Sequence, residues 1–178
     1  MDAKKEMRLF VSVDVPNEIK NKVAELSKEL PIDSIRAVKP ENMHLTLRFI
    51  GDTPLSRLGE LGEALRNVKF SPFRCKIKGV GVFPSENYIK VVWAGVESPE
   101  LDNLAKEVIG ALKGFGGDNK FTAHLTIARV RRKIDAGAFL EKHKDDEFGE
   151  FDVESFQLMQ SILSRAGPSY SLISSFPQ

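Results

Sequence analysis

Residues 43–50 are MHLTLRFI and residues 123–130 are AHLTIARV, so a His-Leu-Thr run occurs twice in this chain of 178 residues. The two copies are 80 positions apart, which is close to half of the chain length. Self-similarity at a fixed spacing is typical of an internally duplicated architecture. The repeat therefore predicts two similar halves, each built around one copy of the motif.

Hydrophobic periodicity around the two copies predicts the same order of elements in each half. In the first half we expect strands at 9–15, 43–50 and 73–83, and helices at 19–30 and 58–68. In the second half we expect strands at 88–96 and 121–130, helices at 98–112 and 136–142, and strands at 151–164 and 170–176. The order β-α-β-α-β thus occurs twice.

The duplication predicts one domain over residues 1–178 with pseudo-repeats at about 7–84 and 87–164. Pro84 begins the segment 84–87, which is the expected boundary because proline commonly ends a strand. The turn residues at 166–169 predict a closing hairpin over 151–176 that ties the two lobes together.

Composition excludes several classes of protein. Lys and Arg number 26 and Asp and Glu number 25, so the net charge of +1 gives no overall field for coating DNA or a membrane surface. The one cysteine, Cys75, excludes an internal disulfide and a four-thiolate zinc site. We find no signal-peptide apolar region and no apolar run of about 18 residues, so we expect a cytoplasmic protein without a membrane segment.

The two motifs carry residues suited to acid–base chemistry. Side chains alternate along a strand, so His44 and Thr46 share one face, as do His124 and Thr126, while the residues between them face the core. A neutral imidazole can take a proton while a protonated one donates a proton. Threonine hydroxyls can donate hydrogen bonds to phosphoryl oxygens, so the pattern favours chemistry on a phosphodiester.

Two other interpretations of the repeated histidines stay open at this point. Duplication could preserve each His-Thr pair for packing alone, although burying these polar groups requires a partner for each of them. The histidines could also bind a metal ion, but two are too few for a catalytic zinc site and no HExxH motif supplies a third ligand. We therefore expect no metal.

Four segments of the chain resemble the 2H phosphoesterases, and more narrowly the LigT-type RNA 2',3'-cyclic phosphodiesterases, also called 2'-5' RNA ligases. These segments are RLFVSVDVP (8–16), HLTLRFIGD (44–52), FTAHLTIARV (121–130) and SRAGPSYSLISSFP (164–177). The resemblance covers nearly the whole chain. It implies a bilobal α+β fold in which antiparallel sheets surround a central cleft.

The resemblance also implies an activity and roles for the motif residues. The reaction is the opening of a 2',3'-cyclic phosphate at an RNA 3' end to a 2'-phosphate, without metal or other cofactor. His44 is then the proton donor, His124 the proton acceptor, and Thr46 and Thr126 hold the phosphate. Reversal with an RNA 5'-hydroxyl in place of water would form a 2'-5' linkage. No ATP-binding GxxxxGK[ST] loop is present in the sequence.

Two arginines are candidates for phosphate contact. The family has an arginine five residues after its second motif histidine, which matches Arg129. Strict alternation places Arg129 on the face opposite His124, so this role requires a bulge or the end of the strand. Arg48 has the same parity as His44 and could neutralise an RNA phosphate, or could be an exposed arginine without function.

Aromatic residues are candidates for stacking on a base of single-stranded RNA. Phe83, Phe115 and Tyr170 are predicted to lie in loops or at strand ends, and the family has a tyrosine at the position of Tyr170. Packing is the commoner role for each of them. The third histidine, His143, has no threonine partner and lies in a charged stretch, so we expect it to be exposed to solvent.

The sequence therefore predicts a monomeric phosphodiesterase acting on RNA 3' ends that carry a 2',3'-cyclic phosphate, with ligation as a back-reaction. The alternative is a noncatalytic module that holds such an end in the same cleft. Whether the natural substrate is a tRNA fragment, another RNA or a small cyclic nucleotide is left open.

Overall fold

A computed structural model describes residues 6–177, and within them nine strands and four α-helices form. The strands are β1 (Glu6–Val13), β2 (Ile35–Ala37), β3 (Leu45–Pro54), β4 (Phe73–Ser85), β5 (Tyr88–Glu97), β6 (His124–Val130), β7 (Glu147–Val153), β8 (Phe156–Ser164) and β9 (Gly167–Phe176). The helices are α1 (Asn17–Glu25), α2 (Leu58–Arg66), α3 (Pro99–Ala111) and α4 (Gly137–His143). No helix in this part of the chain is long and apolar enough to cross a membrane.

Local sequence explains where helix α3 begins. The Ser98 hydroxyl accepts a hydrogen bond from the Leu101 amide at 3.3 Å, and Pro99 occupies the first helical position. A side-chain cap satisfies one of the free amides of the first turn, and proline is tolerated there because it has no amide hydrogen to leave unpaired. The helix therefore begins at the position that its capping residues predict.

The strands form two antiparallel sheets. The first sheet has the order β3-β1-β8-β9, and the second has the order β2-β6-β5-β4-β7. Every strand pair in both sheets is antiparallel. The α+β class with antiparallel sheets is thus confirmed.

The sheets do not follow the two halves of the sequence. Strands β1 and β3 pair within the first sheet, whereas β2 and β4 of the same half belong to the second sheet. The segment 84–87, where we expected the boundary, forms a tight hairpin turn between β4 and β5 with Ser85 opposite Tyr88. The predicted strand at 151–164 is likewise two strands, β7 and β8, which lie in different sheets.

Apolar faces of the helices pack on the sheets. Helices α2 and α3 contact β9 and β3 of the first sheet, and α1 and α4 contact β7 and β4 of the second. The first strand of this core buries Leu9, Val11 and Val13 almost completely. Strand β3 also contacts β6, although the two belong to different sheets, so the two repeated motifs lie close together.

His143 is not exposed as the sequence suggested. It is 5% exposed and lies between two carboxylates, with its Nδ1 2.6 Å from Asp146 Oδ2 and its Nε2 3.0 Å from Glu29 Oε2. Burial acts to lower the pKa of His143, but the hydrogen bonds to Asp146 and Glu29 outweigh it and raise the pKa overall. The ring therefore joins the end of helix α4 to the segment that follows α1.

His143→Gln should destabilise the protein more at pH 6 than at pH 9. A histidine with a raised pKa contributes stability that is complete below its unfolded pKa of about 6.5 and is lost as the pH rises through the folded value. We expect a loss of about 1–3 kcal/mol at pH 6 and a smaller loss at pH 9, measured by urea unfolding. Lys142→Gln, which removes an exposed partner of Glu29, is the control and should cost less than about 1 kcal/mol. Equal losses of unfolding free energy at pH 6 and pH 9 for the His143 variant would show that a charge on this ring does not stabilise the protein.

Candidate active site

The two motifs occupy corresponding positions on β3 and β6. His44 lies immediately before β3, and His124 is the first residue of β6. The leucine that follows each histidine is fully buried, as is the apolar residue two positions further on, whereas the histidines and threonines are partly exposed. The predicted alternation is confirmed, and it directs both His-Thr pairs away from the helix-covered core.

A bulge follows each motif and reverses the alternation. In β3, Val11 pairs with Arg48 but Ser12 pairs with Thr46, so Leu47 is an extra residue. In β6, the pairing likewise passes from Thr126 to Ala128 without a partner for the residue between them. An extra residue in one strand shifts all later side chains to the other face. The fourth residue after each motif histidine is consequently buried, and the fifth is exposed.

The bulge in β3 overturns the phosphate-contact prediction for Arg48. This side chain is 2% exposed and donates hydrogen bonds at 3.1 Å to the backbone carbonyls of Ile109, Phe115 and Gly116. Burial lowers its pKa from the ordinary arginine value. Arg48 points toward the end of helix α3, on the face opposite to that of His44, and fastens the loop that leads to the second motif.

The bulge in β6 has the opposite consequence for Arg129. The sequence required such an irregularity for Arg129 to lie on the same face as His124, and the structure contains it. Arg129 is exposed, and its charge contributes to a lower pKa for His124. Arg129 therefore lies in the electrostatic neighbourhood of the second motif.

His44 lies in an aromatic environment. Its ring stacks on Phe10 with centroids 4.8 Å apart, and the Tyr170 ring meets it edge-on at 5.0 Å. Burial lowers the pKa of His44 to about 4, against the opposing effect of a hydrogen bond to the Asn42 backbone. Apolar surroundings disfavour the charged imidazolium, so His44 is neutral at pH 7 in the free protein.

His124 is held in a similar way on the second sheet. Its Nδ1 lies 2.7 Å from the carbonyl oxygen of Thr122, which can only accept, so Nδ1 carries the proton and donates. The Phe83 ring meets the imidazole edge-on at 5.1 Å. Burial lowers the pKa of His124, the Thr122 carbonyl opposes this, and Arg129 lowers it further. The Nε2 atom is left for exchange of a proton with another molecule.

The two imidazoles are close enough to interact. A charge on His124 lowers the pKa of His44, although 80 residues separate them in sequence. Like charges affect each other's pKa in this way only over short distances. The fold therefore brings the two motif histidines near each other where β3 meets β6, and the surface around them is the candidate cleft.

Some residues of this cleft were not predicted. Lys20 is only 6% exposed, its Nζ lies 2.6 Å from Asp14 Oδ1, and its charge lowers the pKa of His44. Its position in an amphipathic helix gives no sign of this. Phe49 is 53% exposed and lies beside Phe10, at a ring distance of 6.0 Å. The bulge that exposes Phe49 has no sequence signal.

The remaining candidates divide between the cleft and other surfaces. Phe83 and Tyr170 each contact a motif histidine. Phe115 instead packs under the guanidinium of Arg57, whose Cζ is 4.1 Å from the ring centre, so it lies outside the cleft. Between residues 6 and 177 no group of three or more His, Cys, Asp or Glu side chains is arranged to hold a metal ion.

Comparison with known proteins identifies relatives over nearly the whole chain. The sequence pattern described as LigT like Phosphoesterase matches residues 13–93. An RNA 2',3'-cyclic phosphodiesterase of Archaeoglobus fulgidus is 44% identical over 92% of this chain and 96% of its own length. The crystal structure of TT0787 of Thermus thermophilus superposes with a TM-score of 0.81 at 30% identity, over 96% of this chain and 97% of that one.

The structure of Escherichia coli LigT complexed with ATP has the same fold. It superposes with a TM-score of 0.79 at 22% identity, over 97% of this chain and 98% of that chain. The two-sheet architecture is thus common to these proteins, and both structural superpositions extend over nearly the whole chain.

Proposed function

Because the chain belongs to the LigT-like phosphoesterase family, we propose that it opens 2',3'-cyclic phosphates at RNA 3' ends to 2'-phosphates. The observation that supports this proposal is the contact between the motif strands β3 and β6, which places His44 near His124, so that the charge of His124 lowers the pKa of His44. Two imidazoles on either side of a phosphoryl group suffice for both proton transfers of the hydrolysis. The relatives that bear this activity in their names support the choice of substrate.

The proposed mechanism assigns one proton transfer to each ring. His124 accepts a proton from the attacking water through its free Nε2, and His44 donates a proton to the departing 3'-oxygen. The Thr46 and Thr126 hydroxyls donate to the nonbridging oxygens, and Arg129 adds a charge-assisted hydrogen bond. Water adds to phosphorus as the P–O3' bond breaks, so the product is a 2'-phosphate and a free 3'-hydroxyl.

The low pKa values are consistent with these roles once the substrate is bound. A protonated His44 is required for donation, and the negative charge of a bound phosphodiester raises the pKa of nearby imidazoles. We propose that the negative charge of the bound substrate raises the pKa of His44 and so offsets the lowering that burial causes. The same groups acting with an RNA 5'-hydroxyl in place of water would give 2'-5' ligation, so the back-reaction is part of this proposal.

The pH profile of kcat/KM should have its optimum below about pH 6.5. This ratio reports the ionisations of the free enzyme, in which burial lowers the pKa of both histidines. The pH range in which one ring is protonated and the other neutral then moves below the ordinary histidine value of about 6.5. The two limbs of the bell report macroscopic values of the coupled pair.

The profile of kcat alone should have a higher optimum, because the bound phosphate raises both values. Steady-state rates measured from about pH 4 to about pH 9, on both sides of the ordinary histidine pKa, give both profiles. Coincident optima for kcat and kcat/KM would contradict the role given to the phosphate charge.

Incubation with an oligonucleotide that ends in a 2',3'-cyclic phosphate, in the presence of EDTA, tests the proposed activity. The expected product is the 2'-monoester: a mass gain of one water shows the hydrolysis, and resistance to a 3'-specific phosphatase identifies the 2' position. Exclusive formation of the 3'-monoester would reverse the assignment of the leaving oxygen. Binding without any turnover would favour the end-binding module instead.

A further inference from the structure

Two arginines lie directly opposite each other on the second sheet. In the register of β2 and β6, Arg36 pairs with Arg129, and both side chains are exposed. Within residues 6–177, neither Arg36 nor Arg129 forms an ion pair with a carboxylate, so these two charges are not compensated. Like charges directly opposite each other in a sheet destabilise it. A bound anion would convert this arrangement into a favourable one.

The corresponding position beside the first motif is apolar. Phe49, the fifth residue after His44, pairs with Phe10 across β3 and β1. Arg129, the fifth residue after His124, pairs with Arg36. Beside the first motif the surface thus presents the exposed Phe49 above the buried Phe10, whereas beside the second motif it presents an arginine pair. This difference suits a ligand with an apolar side and an anionic side, which describes a nucleotide chain.

Arg36 lies farther from the second motif than Arg129 does. Along β5, Val91 opposes Arg129 and Trp93 opposes Thr126, so these rows are about 6.6 Å apart. Strand β2 is one strand further out, by about 4.8 Å. The Arg36 Nη2 also donates to the Ala166 carbonyl at 3.1 Å, in the turn between β8 and β9. This bond holds the guanidinium at the margin of the cleft and leaves its other N–H groups free to donate.

We propose that Arg36 binds the internal phosphodiester that joins the terminal nucleotide of the RNA to the nucleotide before it. The inference rests on the proposed function, since it takes the reacting cyclic phosphate to lie between the two motifs. Arginine suits this role because its planar guanidinium donates parallel hydrogen bonds to phosphate oxygens. Contacts of this kind position a nucleic acid without reading its sequence. Arg36 therefore distinguishes an RNA end from a mononucleotide.

Three substrates separate this role from a general effect on the enzyme. They are a mononucleoside 2',3'-cyclic phosphate, a dinucleotide ending in the same group, and that dinucleotide with an uncharged methylphosphonate as its internal linkage. For the wild-type protein we expect kcat/KM to be about tenfold higher for the natural dinucleotide than for either of the others, as one charge-assisted hydrogen bond supplies. A wild-type protein that turns over all three equally well overturns the proposal.

Arg36→Gln should lower kcat/KM for the natural dinucleotide about tenfold and change the other two rates less than about twofold. Arg36→Lys, which keeps the charge, should retain part of the preference. Lys106→Gln, on the exposed face of α3, is the matched control for loss of one positive charge and should retain the full preference. The mononucleotide rate reports whether the variants are folded and whether the β8–β9 turn still supports catalysis.

Failure of this inference is distinguishable from failure of the proposed function. If the wild-type protein turns over none of the three substrates, the proposed function is wrong. If the wild-type protein is active and Arg36→Gln lowers all three rates equally, Arg36 serves the reacting phosphate or the turn, and the internal-phosphate site is excluded.

Discussion

Replacing either His44 or His124 with alanine is expected to lower kcat for a 2',3'-cyclic phosphate by about 10²–10⁴-fold, the usual contribution of a positioned general acid or base. Each ring is fixed by contacts that do not depend on substrate, namely Phe10 for His44 and the Thr122 carbonyl for His124. Truncation removes the proton carrier and leaves these supports in place. Single-turnover rates at saturating substrate measure the chemical step directly.

The double variant tests whether the two rings act on one phosphorus. Groups that act as a unit have effects that do not add, so the double variant should be little slower than the worse single variant. His143→Gln is the matched control, because it removes the third histidine, which is bound to Glu29 and Asp146 away from the cleft. It should keep kcat within about twofold of the wild-type value at a temperature where it is folded. Full activity in both single variants would contradict acid–base catalysis by this pair.

The largest loss of stability is expected from Arg48→Ala, at about 3–5 kcal/mol. Arg48 is buried, and its removal leaves three carbonyl oxygens, of Ile109, Phe115 and Gly116, without their donor. A buried polar group left unpaired costs about 1–3 kcal/mol, and the lost side-chain volume adds a cavity. Urea unfolding at pH 7 measures the change in the free energy of unfolding.

Arg66→Ala provides the comparison for Arg48→Ala. Arg66 lies on the surface of α2 and pairs with Glu63 three residues earlier, so its loss should cost less than about 1 kcal/mol. The Arg48 variant should also lower activity, because the loop that it fastens leads into the second motif. Equal stabilities for the two variants would show that Arg48 does not hold this loop.

Sequence periodicity predicted the motif strands because an alternation of period two is a direct consequence of strand geometry. The buried Leu45 and Leu125 and the partly exposed histidines before them follow it. The bulges that come next could not be predicted, since neither β3 nor β6 has a glycine at the extra residue. For this reason strict alternation predicted that Arg48 lies on the same face as His44, whereas the structure buries its side chain against α3.

Pairing partners were the second feature that local patterns left undetermined. An alternating segment indicates a strand without indicating its neighbours, and β8, near the end of the chain, pairs with β1. The partners of His143 illustrate the same limit at the level of one side chain. Asp146 is three residues away and was visible in the sequence, but Glu29 is 114 residues away. Only the fold brings such groups together.

Both motif histidines should contact the same phosphate group, and binding of that group should therefore change both of their pKa values. NMR titration of the ring nitrogens with adenosine 2'-monophosphate tests this most directly. We expect the pKa of His44, about 4 in the free protein, and the lowered pKa of His124 to rise together and to saturate with one dissociation constant. The His143 ring should not respond. A titration in which the nucleotide moves only one of the two motif histidines would contradict the account.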